Sequence, residues 1–224
     1  MHNFDWKQLV NPEFYILLEF SGVKIGLFVL LFIIFAETGL FAGFFLPGDS
    51  LLFLAGIYSE LLTRQISVGN DFFNLVILSS LVSLVGIFGN MVGYWFGVKG
   101  GTYLYNKEDT FWFKEKYLLQ SRDFFEKYGG KAIIFARFLP IFRTFAPIVA
   151  GIAGMDKKKF MFYNILSSIL WSFAMIFAGH YLSALFMDKF NIDLKSHIEY
   201  IVIGIVFVTT APVLWKLLKK RVHI

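Results

Sequence analysis

The stretch from Phe72 to Val98 carries no charged side chain and is almost entirely apolar. A helix needs about 20 apolar residues to cross the hydrocarbon core of a bilayer, and this stretch exceeds that length. Similar stretches run from Phe160 to Met187 and from Ile198 to Trp215. We therefore predict transmembrane helices at 72–98, 160–187 and 198–215, within a single all-α polytopic membrane domain that spans residues 1–224.

The composition of the chain agrees with a membrane location and excludes several classes of function. Hydrophobic residues make up 57% of the 224 residues, and charged residues make up only 17%. A water-soluble domain of this size could not bury so much apolar surface. The chain has a net charge of +5. Basic residues at the ends of membrane helices account for such a charge, so we expect no nucleic-acid binding. The chain has no cysteine and its four histidines are scattered, so we expect neither a metal site nor a cofactor.

Two other apolar tracts, at 26–58 and 131–155, contain charges and prolines near their centres. These residues are Glu37, Pro47, Gly48 and Asp49 in the first tract, and Arg137, Pro140, Arg143 and Pro147 in the second. Proline disrupts a helix, and irregular backbone persists at membrane depth only where protein or a watery cavity covers it. We therefore predict re-entrant helical hairpins at 37–58 and 131–155. The stretch 14–35 is either a further span or the first arm of the earlier hairpin.

The distribution of charge predicts how the chain is oriented. Basic residues are in excess at 99–131, 156–159 and 216–221, and the positive-inside rule assigns these stretches and the C-terminus to the cytoplasm. Both ends of the tract 131–155 are then cytoplasmic, so this tract must enter the membrane and return. The first hairpin should insert from the opposite face. The connection 99–130 mixes charges with aromatic residues, which predicts an interfacial amphipathic helix between breaks at Gly100-Gly101 and Gly129-Gly130.

The predicted elements form two similar halves, at 26–98 and 131–187. Each half is a re-entrant hairpin followed by a long transmembrane helix, and the two hairpins insert from opposite faces. Such an inverted repeat is found in many transporters, which bind their substrate where the broken helices meet. Gly89, Gly93 and Gly97 form a small-residue face that predicts close packing, either against a hairpin or across a homodimer.

Four charged residues inside the apolar tracts are the candidates for function. Intramembrane charge costs about 2.5–3.5 kcal/mol per central residue, so these charges must be paired, hydrated or bound to a ligand. One interpretation is a purely structural pair of ion pairs between the hairpins. The other is a binding site, because the guanidinium groups of Arg137 and Arg143 match the oxygens of a phosphate head group.

The two carboxylates, Glu37 and Asp49, are candidates for proton uptake. Burial disfavours the charged form of a carboxylate, and a nearby arginine favours it. An anion bound at the arginines would therefore change the protonation of the two carboxylates. Asp49 also suits a helix N-cap after Pro47-Gly48. Asn164 and Trp171 share one face of the 160–187 helix, where they either make interhelical hydrogen bonds or line a cavity.

The order of these motifs resembles the DedA family, also called the SNARE-associated or VTT-domain family, over about residues 30–185. The matching motifs are Glu37, Leu46-Pro47-Gly48-Asp49-Ser50, Gly89-Asn90-Met91-Val92-Gly93-Tyr94, Phe135-Ala136-Arg137-Phe138-Leu139-Pro140-Ile141-Phe142-Arg143, Pro147, Ala150-Gly151, Asn164 and Trp171. The resemblance implies a bacterial cytoplasmic-membrane protein with two opposed re-entrant hairpins. It also implies movement of undecaprenyl phosphate, phosphatidylethanolamine or another phospholipid, with links to the proton-motive force. The family's acidic and arginine pairs correspond to Glu37 and Asp49, and to Arg137 and Arg143.

Three functions remain open, and the lipid transporter is favoured. A proton-coupled small-ion antiporter would use the carboxylates alone and would be indifferent to lipid identity. A membrane phospholipid phosphatase fits less well, because Lys131 and Arg137 miss the spacing of the phosphatase motif and no histidine nucleophile is evident. We therefore expect no enzymatic activity.

Overall fold

The computed structural model describes residues 12–20, 23–39, 48–64, 66, 70–105, 123–191 and 204. Within these residues the protein is helical apart from one small β-hairpin and the connecting turns. The helices are α1 (Pro12–Ile16), α2 (Gly26–Gly39), α3 (Gly48–Ile57), α4 (Ser59–Thr63), α5 (Asp71–Tyr105), α6 (Lys131–Arg137), α7 (Pro140–Ile152) and α8 (Lys157–Phe190), with a further helical stretch at 123–128. The hairpin consists of the antiparallel strands β1 (Glu19–Phe20) and β2 (Val23–Lys24).

Helices α5 and α8 are each long and apolar enough to cross a membrane. They contain 35 and 34 residues. At 1.5 Å per residue each is about 50 Å long, more than the hydrocarbon thickness of about 30 Å. Large apolar side chains on both helices are exposed, as lipid contact requires; examples are Phe88, Trp95, Ile165 and Ile169. The predicted helices at 72–98 and 160–187 are confirmed, whereas the one predicted at 198–215 lies outside the described residues except for residue 204.

The N-terminal stretch 14–35 does not form one continuous helix. It is divided among α1, the β-hairpin and α2, which begins at Gly26. Helix α2 has 14 residues. Its length of about 21 Å is too short to cross the bilayer core. The alternative of a complete span at 14–35 is therefore wrong.

The connection between the predicted halves begins later than expected. Helix α5 continues through Gly100 and Gly101, where a break was predicted. That prediction was wrong because Gly101 serves close packing: a Cβ built on it would lie 3.0 Å from the Cα of Ile152. The break at Gly129 is confirmed, since this residue has a φ of 58°, which favours glycine. The predicted amphipathic helix falls mostly on 106–122, outside the described residues.

The chain divides into two compact units. The first comprises Met1–Ile33, Pro47–Leu81 and Ser172–Ile224, and the second comprises Ile34–Leu46 and Val82–Trp171. The division passes through α2, α5 and α8. Each unit therefore combines segments from both predicted halves, 26–98 and 131–187.

In the first unit, α3 packs against the C-terminal part of α8 through two glycines. A Cβ built on Gly56 of α3 would overlap the carbonyl oxygen of Ile176 in α8. In return, a Cβ built on Gly179 of α8 would overlap the carbonyl oxygen of Phe53 in α3. The two backbones approach this closely because neither position carries a side chain.

In the second unit, α7 packs against α5 in the same reciprocal manner. A Cβ built on Gly97 of α5 would overlap the carbonyl oxygen of Ile148, and one built on Gly151 of α7 would overlap the carbonyl oxygen of Tyr94. Nearby, the side chain of Pro147 lies 3.5 Å from the Cβ position of Gly93.

The remaining glycine of the predicted face, Gly89, lies against Thr38 of α2. The glycine face of α5 therefore packs against helices of its own chain, as one of the two predicted alternatives requires.

Candidate functional site

Glu37 and Arg143 form a buried ion pair in the second unit. Glu37 lies near the end of α2, and Arg143 lies near the start of α7. Their side chains are 1% and 3% exposed, and Nη2 of Arg143 donates to Oε1 of Glu37. Charges removed from water are tolerated when they compensate each other in this way. One ion pair of the kind that the structural interpretation predicts is therefore present.

Both candidate arginines lie against the aromatic ring of Trp171, a residue of α8. The guanidinium carbon of Arg137 lies 4.8 Å from the centroid of this ring, and that of Arg143 lies 5.1 Å from it. Both distances are within the range of a cation–π interaction, about 6 Å. The side chains of Arg137 and Trp171 are 2% and 1% exposed. We refer to Glu37, Arg137, Arg143 and Trp171 as the arginine cluster.

The proline at position 140 explains how two arginines only six residues apart reach the same ring. Helix α6 ends at Arg137 and α7 begins at Pro140. Proline is favoured at the first position of a helix and excludes the helical conformation from the residue before it. Leu139 accordingly has an extended backbone, with φ −111° and ψ 111°. The predicted break of this tract is confirmed here, whereas Pro147 lies inside α7 without ending it.

Gly86 of α5 makes room for Arg137. A Cβ built on Gly86 would overlap Nη2 of Arg137 and would lie 3.9 Å from Oγ of Ser168. Sequence reasoning did not identify this residue. The available signal was its spacing of three residues from Gly89, which places both glycines on the same side of α5.

Asn164 is the centre of a buried hydrogen-bond network between α8 and α5. Its Oδ1 accepts hydrogen bonds from Nδ2 of Asn90 at 2.7 Å and from Oγ of Ser168 at 3.4 Å. Its Nδ2 donates to the carbonyl oxygen of Ile87 at 3.1 Å. Because an amide nitrogen must face that carbonyl, the orientation of Asn164 is fixed. Of the two predicted roles for Asn164, the structure shows interhelical hydrogen bonding.

Asp49 and Gly48 belong to the first unit. Helix α3 begins at Gly48, so Asp49 lies inside the first turn and not at the predicted N-cap position. A carboxylate is still favoured there by the positive end of the helix dipole. The side chain of Asp49 is buried, with 9% exposed. The neighbouring Pro47, which was predicted to shape this hairpin, lies outside the described residues.

The arginine cluster can hold an anion but shows no arrangement suited to a metal. Guanidinium groups offer several N–H donors in a planar fork, a geometry that matches phosphate oxygens. Across the described ranges, no three histidine, cysteine, aspartate or glutamate side chains are grouped as metal ligands would be. The guanidinium groups of the cluster therefore offer electrostatic binding of an anion.

Comparison with known proteins identifies the family of the chain. Residues 21–181 match the VTT domain. Protein DedA of Escherichia coli (strain K12) is 37% identical over 184 residues, which cover 82% of this chain and 78% of the relative. An uncharacterized membrane protein of Mycobacterium leprae is 36% identical over 206 residues, which cover 92% and 85%. The inner membrane protein YghB of Escherichia coli (strain K12) is 30% identical over 205 residues, which cover 89% and 87%.

No solved structure matches the chain. The domain match nevertheless covers most of the sequence, and the relatives are aligned over most of their own length. Several of these relatives are named as membrane proteins, in agreement with the two membrane-crossing helices described above. The chain therefore belongs to the VTT-domain family, which includes the DedA proteins, and it is a membrane protein.

Proposed function

We propose that this protein is a lipid transporter that moves a lipid with a phosphate head group across the cytoplasmic membrane. Undecaprenyl phosphate and phosphatidylethanolamine are the two candidate substrates. The observation that carries the proposal is the placement of Arg137 and Arg143 against one buried indole ring in a membrane protein.

Arg137 and Arg143 bind the phosphate in this proposal. Both side chains are buried, so their attraction for an anion is only weakly screened by water. Arg143 already binds a carboxylate oxygen of Glu37, which shows that its guanidinium can take an oxyanion in this position. A phosphate that reached Arg143 would compete with Glu37 for it. The acyl or prenyl tail would remain in the surrounding lipid.

In this proposal the protein is built from two oppositely inserted hairpins, the inverted repeat predicted from the sequence. The two reciprocal glycine contacts support this proposal. In each unit, a glycine of a short helix lies against the carbonyl three residues before a glycine of a long helix, and the reverse contact is also made. Gly56 and Gly179 form this arrangement in the first unit, and Gly151 and Gly97 form it in the second. Matching local packing is expected when two halves share one fold.

Proton coupling follows from the competition for Arg143. When a phosphate displaces Glu37, the buried carboxylate loses the cation that compensates its charge. Its neutral, protonated form is then favoured. Release of the lipid would restore the ion pair and return the proton. Asp49, which is buried in the first unit, is the other candidate for proton coupling.

Transport in liposomes tests the proposal. Purified protein is reconstituted with a fluorescent phosphatidylethanolamine or with a polyprenyl phosphate, and the lipid that reaches the opposite leaflet is measured with and without a proton gradient. The Arg137→Ala variant should lose transport, whereas Arg64→Ala should retain it, because Arg64 is an exposed arginine of the first unit. A gradient dependence that disappears in Glu37→Gln or Asp49→Asn would identify the coupling residue.

A folded protein that moves neither lipid would contradict the proposal. The same liposomes, loaded with a pH-sensitive dye and given a cation gradient, would then test for small-ion antiport. The buried Glu37 carboxylate favours this second candidate, since an antiporter needs an ionisable group within the membrane.

A further inference from the structure

We propose that Trp171 is a positioning residue whose indole ring holds both Arg137 and Arg143 in place through cation–π contacts. This inference rests on the proposed function, since it concerns the same arginine cluster. It assigns the tryptophan an electrostatic role beyond filling space in the core.

Two guanidinium groups against one ring repel each other, and burial strengthens that repulsion. Arg143 is held from one side by Glu37. The ring offers a further attraction that acts on both cations, because its face carries the negative part of the aromatic quadrupole, and tryptophan has the strongest such face. Both guanidinium carbons lie within 5.1 Å of the ring centroid. The indole therefore lowers the cost of keeping two cations close together in the orientation that a phosphate requires.

Trp95 supplies a matched control on the same unit. The Nζ of Lys99 lies 3.9 Å from the centroid of the Trp95 ring, but both side chains are exposed. No cation of the arginine cluster takes part in this contact. Weakening the Trp95 ring should therefore leave the arginines unchanged.

The experiment replaces Trp171 by tryptophans with one, two and three ring fluorines, introduced by nonsense suppression. Fluorine withdraws electrons from the face of the ring while leaving its shape almost unchanged. If Trp171 acted through packing alone, fluorination would therefore change neither readout. Two readouts are taken from the full-length protein. The first is the rate at which phenylglyoxal modifies Arg137 and Arg143, measured by peptide mass spectrometry. The second is transport of the polyprenyl phosphate and of the fluorescent phosphatidylethanolamine in liposomes.

We expect the modification rate of both arginines to rise stepwise with fluorine number, by about tenfold across the series, and transport to fall in parallel. Fluorination of Trp95 should change neither readout. Rates and transport that stay constant across the series, while Trp171→Leu alters both, would overturn the proposal and leave Trp171 a packing residue. Rising arginine reactivity in a protein that moves neither lipid would support the positioning role and contradict the transport function.

Discussion

Glu37 of α2 and Arg143 of α7 neutralise each other in a buried ion pair although 106 residues separate them in the chain. Each belongs to a different predicted half of the protein. The pair therefore joins the first apolar tract to the second inside one compact unit. The stability of this pair can be measured separately from the exchange with an anion that is proposed above.

Removal of Glu37 alone should destabilise the protein strongly. The Glu37→Ala change leaves Arg143 buried without this carboxylate, and the loss of one partner from a buried pair typically costs about 3–5 kcal/mol. The double change Glu37→Leu with Arg143→Leu should recover most of that loss, because neither charge of the pair is then left buried without the other. The loss of folded protein on heating in detergent measures both effects. A double variant as unstable as Glu37→Ala would show that the pair is not the cause.

Lysine should replace arginine poorly at position 137. An ammonium group is a compact, strongly hydrated charge without the planar fork that matches phosphate, and it is a weaker partner for the Trp171 ring. We expect Arg137→Lys to insert and fold but to transport lipid at least tenfold more slowly, since one charge-assisted hydrogen bond is worth about 1.5–3 kcal/mol. The liposome assay checks this prediction. Full activity of the lysine variant would mean that charge alone is required.

Two neighbouring glycines of α5 should respond oppositely to alanine. A Cβ at Gly97 would overlap the carbonyl oxygen of Ile148, whereas a Cβ at Gly100 would have no atom of the described residues within 4 Å. Gly97→Ala should therefore cost about 1–3 kcal/mol through overpacking. Gly100→Ala should be neutral or stabilising by up to about 1 kcal/mol, because alanine is the better helix former. The thermal midpoints of the two variants, measured side by side, show whether close packing or helix propensity determines the effect of alanine at each position.

Asn164 should matter more for stability than its partner Asn90. The side chain of Asn164 forms hydrogen bonds with Asn90, Ile87 and Ser168. The Oδ1 atom of Asn90, in contrast, is buried without a hydrogen-bond partner. We expect Asn164→Ala to cost about 1–3 kcal/mol more than Asn90→Ala, since it leaves a buried amide unsatisfied. The double variant should be no worse than Asn164→Ala alone. Additive losses in unfolding experiments would show that the two amides act independently.

The features that the sequence predicted correctly are those determined by local chemistry. The long apolar stretches within α5 and α8 are visible as runs without charge. The break at Pro140 follows from the missing N–H and from the constraint on the preceding residue. Gly129 ends a helix because its positive φ is cheap only for glycine.

The contacts between segments distant in the chain could not be predicted in the same way. Helix propensity suggests a break at Gly100-Gly101, but packing of Gly101 on Ile152 overrides it. The choice of Arg143 as the partner of Glu37 depends on which helices meet, and so does the placement of both arginines against the ring of Trp171. The sequence alone identified the charged residues but not their pairing.

The reciprocal glycine contacts make the two predicted halves depend on each other for folding. Helix α3 of the first half packs against α8 of the second half, and α7 of the second half packs against α5 of the first half. A fragment cut between them would keep one member of each contact and would expose bare backbone where the other member belongs. We therefore expect that neither half folds on its own and that two co-expressed fragments become stable only by reassembling with each other.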